Sequence, residues 1–153
     1  MSRIPYSTAE TQSAETQDLL SKLAPLNIFK MIANTPHALR PFVDLAGVFL
    51  FKGLLDPIGR DVGMDDALID AVKPGANASG LTPHQSALIA FVDDLVANVR
   101  ASDATFNPML TALGPAATQE LTLVTGFYMM VCRFLETFDV ELEAGGAKGI
   151  ETN

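Results

Sequence analysis

The chain has 153 residues, a net charge of −8 and apolar side chains at 48% of positions. That length fits one domain, and the apolar share is enough to bury a sizeable core. The charge argues against nucleic acid and against an anionic membrane surface, since both are bound by clustered Lys and Arg.

In chain order, residues 1–14 read as an extended arm. Residues 13–24 read as a first helix, with Leu19, Leu20 and Leu23 at helical spacing and Pro25 as its stop. Asn27 is placed to cap a short helix over residues 28–33. Thr35 is placed to cap the next, with Pro36 at its first helical position. This helix runs to about Lys52, with a kink or break expected at Pro41. Phe42, Leu45, Val48, Phe49 and Phe51 cover much of its circumference, which predicts burial on most sides. Gly53 fits a C-cap.

Asp56-Pro57 signals a turn or a helix start. A short helix follows at 65–72, with Leu68, Ile69 and Val72 on one face and acids at its N-terminus. Residues 74–80 read as a loop. Thr82-Pro83 opens a long helix that runs to about Arg100, and its Asp93 and Asp94 are expected to face water. Ser102 caps a further helix through Phe106, Met109, Leu110 and Leu113. Gly114-Pro115 ends that helix and starts the last, which runs to about Phe138. Residues 143–153 read as a flexible tail. No stretch alternates with period two, so the reading is all-α, a single helical domain over residues 1–142.

The polar N-terminus has no apolar leader region, so no signal peptide is expected. The longest apolar run, residues 121–135, is short for a membrane span and contains Thr122, Thr125 and Arg133, so it reads as a buried helix. The single cysteine, Cys132, allows no internal disulfide, and a cytoplasmic setting follows as the simplest expectation.

Three segments resemble the carboxymuconolactone decarboxylase-like, or AhpD-like (alkylhydroperoxidase-like), family. They are NTPHALRPF with the apolar helix after it, IGRDVGMDDALIDAV at residues 58–72, and residues 81–143. The last is the most specific, because LTPHQSALIAFVDDLVANVRASDATF and ELTLVTGFYMMVCRFLETFDVELE span two long helices and their connection. The resemblance implies a helical bundle that assembles as a trimer or hexamer. It also implies a lyase of the decarboxylase type acting on a small cyclic carboxylate from aromatic-compound degradation, without a cofactor. In the AhpD branch it implies a thiol peroxidase using a Cys-x-x-Cys dithiol. Between the first two segments the family carries its active-site helices. Here Asp56-Pro57 runs almost directly into Ile58-Gly59-Arg60, a truncated version of the bundle, and no residue inherits the family's catalytic roles.

From the residues themselves, His37 and Cys132 are the candidates for catalysis, and Arg133 and Tyr128 the candidates for substrate binding. Cys132 lies inside the apolar run, where a buried structural thiol is the simpler expectation and a reactive one the alternative. His37 and His84 sit beside prolines near helix starts, without the spacing of a metal pair, so no metal is expected. Arg133 is a cation within an apolar run and needs a carboxylate partner. That partner is either Glu136, or an acid of another helix or subunit, or a small carboxylate ligand. A non-catalytic, homo-oligomeric helical protein remains the alternative to an enzyme.

Overall fold

Among the described residues, capping residues and one glycine break set out five helices: α1 (Ala14–Ser21), α2 (Asn27–Ile32), α3 (Pro36–Phe51), α4 (Pro83–Asn98) and α5 (Asp103–Phe138). They are seen in a computed structural model that describes residues 1–51 and 80–143. Among the described residues every regular element is an α-helix, so the all-α expectation holds. The expected Gly53 cap, the turn at Asp56-Pro57, the helix at 65–72, residues 74–79 of the expected loop and residues 144–153 lie outside the described residues. The chain divides into two compact units, Met1–Val48 with Val131–Asn153, and Phe49–Met130.

In the first unit the short helices start as the local chemistry dictates. Ser13 caps α1, its hydroxyl accepting the Thr16 backbone N–H at 3.2 Å. Asn27 does not cap α2 as expected; it is the first residue of that helix, after Leu26, which offers no side-chain cap. The orphan N–H of Asn27 instead donates to the carboxylate of Glu143, and the Asn27 side-chain amide donates to the Glu141 carbonyl at 2.9 Å. α3 is continuous through Pro41, so no break occurs there. The core of this unit is Ile32, Ala33 and Leu39, packed by Leu19, Leu20, Phe29, Phe42 and Phe134. Leu45 and Val48 are exposed, so α3 is not covered on most sides as expected.

The N-terminal arm is tied down by named contacts. Arg3 donates from its backbone N–H to the Phe138 carbonyl at 2.9 Å and from its guanidinium to the Thr137 carbonyl at 2.9 Å. These are carbonyls that the end of α5 leaves without helical partners, and a cation is favoured at that end of the helix dipole. Arg3 also pairs with Asp139 at 3.1 Å, and the Glu141 backbone N–H donates to the Tyr6 hydroxyl at 3.0 Å.

In the second unit α4 opens with a full capping box. Thr82 accepts the Gln85 backbone N–H, and the Gln85 side chain accepts the Thr82 N–H at 2.8 Å. Its core is Phe91, Leu95, Met109 and Leu121, and fully burying a side chain such as Phe91 contributes roughly 1.5–3 kcal/mol. Gly114 interrupts α5 with φ 73° and ψ 173°, as Gly114-Pro115 predicts, and divides it into two limbs. The buried Thr118 hydroxyl donates across the break, lying 2.8 Å from the Gly114 carbonyl and 3.3 Å from the Met109 carbonyl.

The limb of α5 after the break buries Thr118, Leu121 and Thr125 along one face, and Phe127 on another, where its ring packs against Phe49 with centroids 5.4 Å apart. The hydroxyls of Thr122 and Thr125 bond the carbonyls four residues earlier, which lets the buried Thr125 sit inside a helix. Leu123, Tyr128 and Met130 are exposed, and so are Cys132 and Arg133. The buried settings expected for Cys132 and Arg133 are therefore corrected. An apolar run covers all sides of a helix, but Leu123, Tyr128 and Met130 stay open between its buried positions. Among the described residues α5 is also the one helix apolar and long enough to cross a membrane, by length and composition alone.

Candidate functional site

Among the described residues two clefts, one in each unit, bring chemistry-bearing residues together. The first, of about 390 Å³, lies where the N-terminal turns of α1 and α3 meet. Ser13, Glu15 and Thr16 line it from α1, and Pro36, His37 and Arg40 from α3, over an apolar base of Leu19 and Leu39. His37 thus lines a cleft whose opposite wall is α1. Most of the polar groups are committed to the scaffold. Ser13 caps α1, the Thr16 hydroxyl bonds Ser13 at 3.0 Å, and Arg40 pairs with Asp44 one helical turn on at 3.5 Å. His37 is exposed. No second side chain orients its imidazole among the described residues, so the cleft holds no assembled acid–base pair.

The second cleft, of about 400 Å³, sits where α4 ends and α5 begins. Its floor is Phe91 and Leu95, its walls include Val99, Ala101, Phe106 and Thr122, and its rim carries Arg100 and Asp103. Val99 closes α4 in a left-handed conformation, φ 64° and ψ −20°, donating its N–H to the Leu95 carbonyl at 2.9 Å. That bond is the one a C-terminal glycine normally makes. A β-branched residue there is strained by about 1–3 kcal/mol, and Val99 is 88% exposed, so packing does not offset the strain.

Asp94 fixes the turn between the helices. Its carboxylate accepts the Thr105 hydroxyl at 2.6 Å, the Ser102 backbone N–H and hydroxyl at 2.8 Å each, and the Asn98 amide at 2.8 Å. Those bonds, the Thr105 hydroxyl first, hold its carboxyl well below the usual carboxylate range. Asp94 was expected to face water. It is half-buried instead, because the turn after α4 folds Ser102 back onto it, eight residues away.

The other sequence candidates are not drawn into these clefts. Tyr128, Cys132 and Arg133 line neither of them and stand on exposed positions of α5. Tyr128 packs edge-on against Phe127, with ring centroids 5.7 Å apart. His84 is exposed near the start of α4. Among the described residues no group of three His, Cys, Asp or Glu side chains is placed to hold a metal. Arg100 was missed in the sequence, where it reads only as the end of a helix. No family model matches the chain, and neither a curated protein nor a solved structure matches it.

Proposed function

We propose that this chain is a self-associating helical protein of the carboxymuconolactone decarboxylase-like kind, in which copies cover one another's α5. The observation that carries the reading is the uncovered apolar surface after the Gly114 break, where Leu123 is 62% exposed on the face it shares with Met130, and Tyr128 is open on another. Apolar surface left open this way is what interfaces between copies bury. It falls in the segment where the sequence resembles that family most specifically. Sedimentation or light scattering of the full chain at micromolar concentration tests it. A multiple of the monomer mass is expected, reduced by Leu123→Glu with Met130→Glu. A monomer at that concentration would end the proposal.

A second reading, a lyase of the decarboxylase type on a small cyclic carboxylate, is favoured by the cleft that His37 lines. There His37 would carry the proton. Its test is carbon dioxide release from a lactone carboxylate by the purified chain, abolished in His37→Gln. Release that is unchanged in that variant would remove His37 from the chemistry. The peroxidase branch has less support, since the sequence has Cys132 and no second thiol to resolve an oxidised one.

A further inference from the structure

We infer that the cleft at the α4–α5 turn is a binding site for a small monocarboxylate with an apolar body. Three observations converge on it. The volume, about 400 Å³, falls within the range of ~300–1,000 Å³ typical of small-molecule pockets. The floor of Phe91 and Leu95, with Phe106 beside it, offers apolar contact and no hydrogen-bonding group of its own side chains. At the rim, the guanidinium of Arg100 makes no hydrogen bond or ion pair with any described residue, although four other cationic groups, Met1, Arg3, Lys22 and Arg40, are each paired. A planar guanidinium beside an apolar floor matches a ligand with a carboxylate at one end and hydrocarbon at the other.

The backbone adds a fourth, independent point. The strained left-handed Val99 sets the direction in which the next residue leaves the helix, and that residue is Arg100. The bonds on either side, from the Val99 N–H to the Leu95 carbonyl and from the Ser102 N–H to Asp94, hold that direction against the strain. The other rim charge, Asp103, sits in the first turn of α5, where the helix dipole favours an anion. It repels an incoming carboxylate, so the two rim residues act on the ligand with opposite sign. The site is separate from the α5 surface assigned to self-association and from the cleft of His37.

The test is a heteronuclear NMR titration of the full chain with benzoate and, as a neutral counterpart of similar shape, benzyl alcohol. Benzoate is expected to shift the amides of Phe91, Leu95, Arg100 and Phe106 saturably and to bind more tightly than the alcohol. Arg100→Gln should weaken benzoate about tenfold and leave benzyl alcohol unchanged, while Asp103→Asn should tighten benzoate. Benzoate binding equally well to Arg100→Gln, shifts that map elsewhere, or no saturation at tens of millimolar would each overturn the site. The oligomeric mass of the same samples reports separately on self-association.

Discussion

At the scale of single residues, Val99 and Asp94 carry opposite lessons. Val99 holds a left-handed backbone with its side chain in water, so its strain of about 1–3 kcal/mol exceeds the ~0.5–1 kcal/mol of extra chain entropy a glycine would lose. Val99→Gly should therefore raise stability by about 1 kcal/mol, read as an increase in the urea midpoint at unchanged slope. A drop in the midpoint would show that the valine makes contacts that matter. Asp94 stabilises by remaining charged. Its carboxyl is depressed in the folded chain, so the unfolded chain binds its proton more readily. The Asp94 contribution is complete above the ordinary carboxylate value of about 3.9 and fades as pH falls below it. Thermal melts between pH 6 and pH 2 should show wild type losing stability on acidification more steeply than Asp94→Asn. Parallel curves for the two proteins would remove Asp94 from acid sensitivity.

At the scale of elements, the break in α5 is the decisive feature. Gly114 combines φ 73° with ψ 173°, a region open in practice only to glycine, and a Cβ built there meets nothing within 4 Å. The cost of Gly114→Ala is thus backbone strain without a clash, about 1–3 kcal/mol, to be measured by chemical denaturation. A cost near zero would mean that the two limbs can re-join into one straight helix. The start of α4 gives a second measurable element. Thr82→Ala removes the hydroxyl half of the capping box and should cost about 1 kcal/mol, with Thr82→Ser nearly neutral. Equal losses in both variants would mean that the threonine methyl, and not the cap, is what counts.

For the whole molecule the balance of covered and uncovered apolar surface governs behaviour. Among the described residues each unit has a small core, with four buried residues in one cluster and three in the other. Large side chains such as Leu45, Val48, Val96 and Leu123 remain open. If copies of the chain cover that surface, association stabilises the folded state by mass action. The melting temperature should then rise with protein concentration between micromolar and hundreds of micromolar, and the rise should vanish in the Leu123→Glu, Met130→Glu variant. A melting temperature independent of concentration in wild type would separate folding from assembly.

The sequence by itself determined where most of the described helices begin, because those signals are local, although α1 ends at Ser21, ahead of the stop expected at Pro25. Thr82-Pro83, Ser102 and Gly114-Pro115 act through a backbone turn or two, and each stands where expected. The all-α class follows from the same short-range periodicity. Asn27 misled because its helix start is satisfied by Glu143, 116 residues away, a partner that no local rule supplies. Burial was the other quantity that only the tertiary structure decided. The apolar run around Cys132 and Arg133 reads as core from hydropathy alone, yet burial depends on how many neighbours the rest of the chain supplies, and here Leu123, Tyr128, Met130 and Cys132 are left exposed. The same holds for the cleft at Arg100. Its floor comes from α4 and part of its wall from α5, so it exists only once the Asp94 turn has folded one helix against the next.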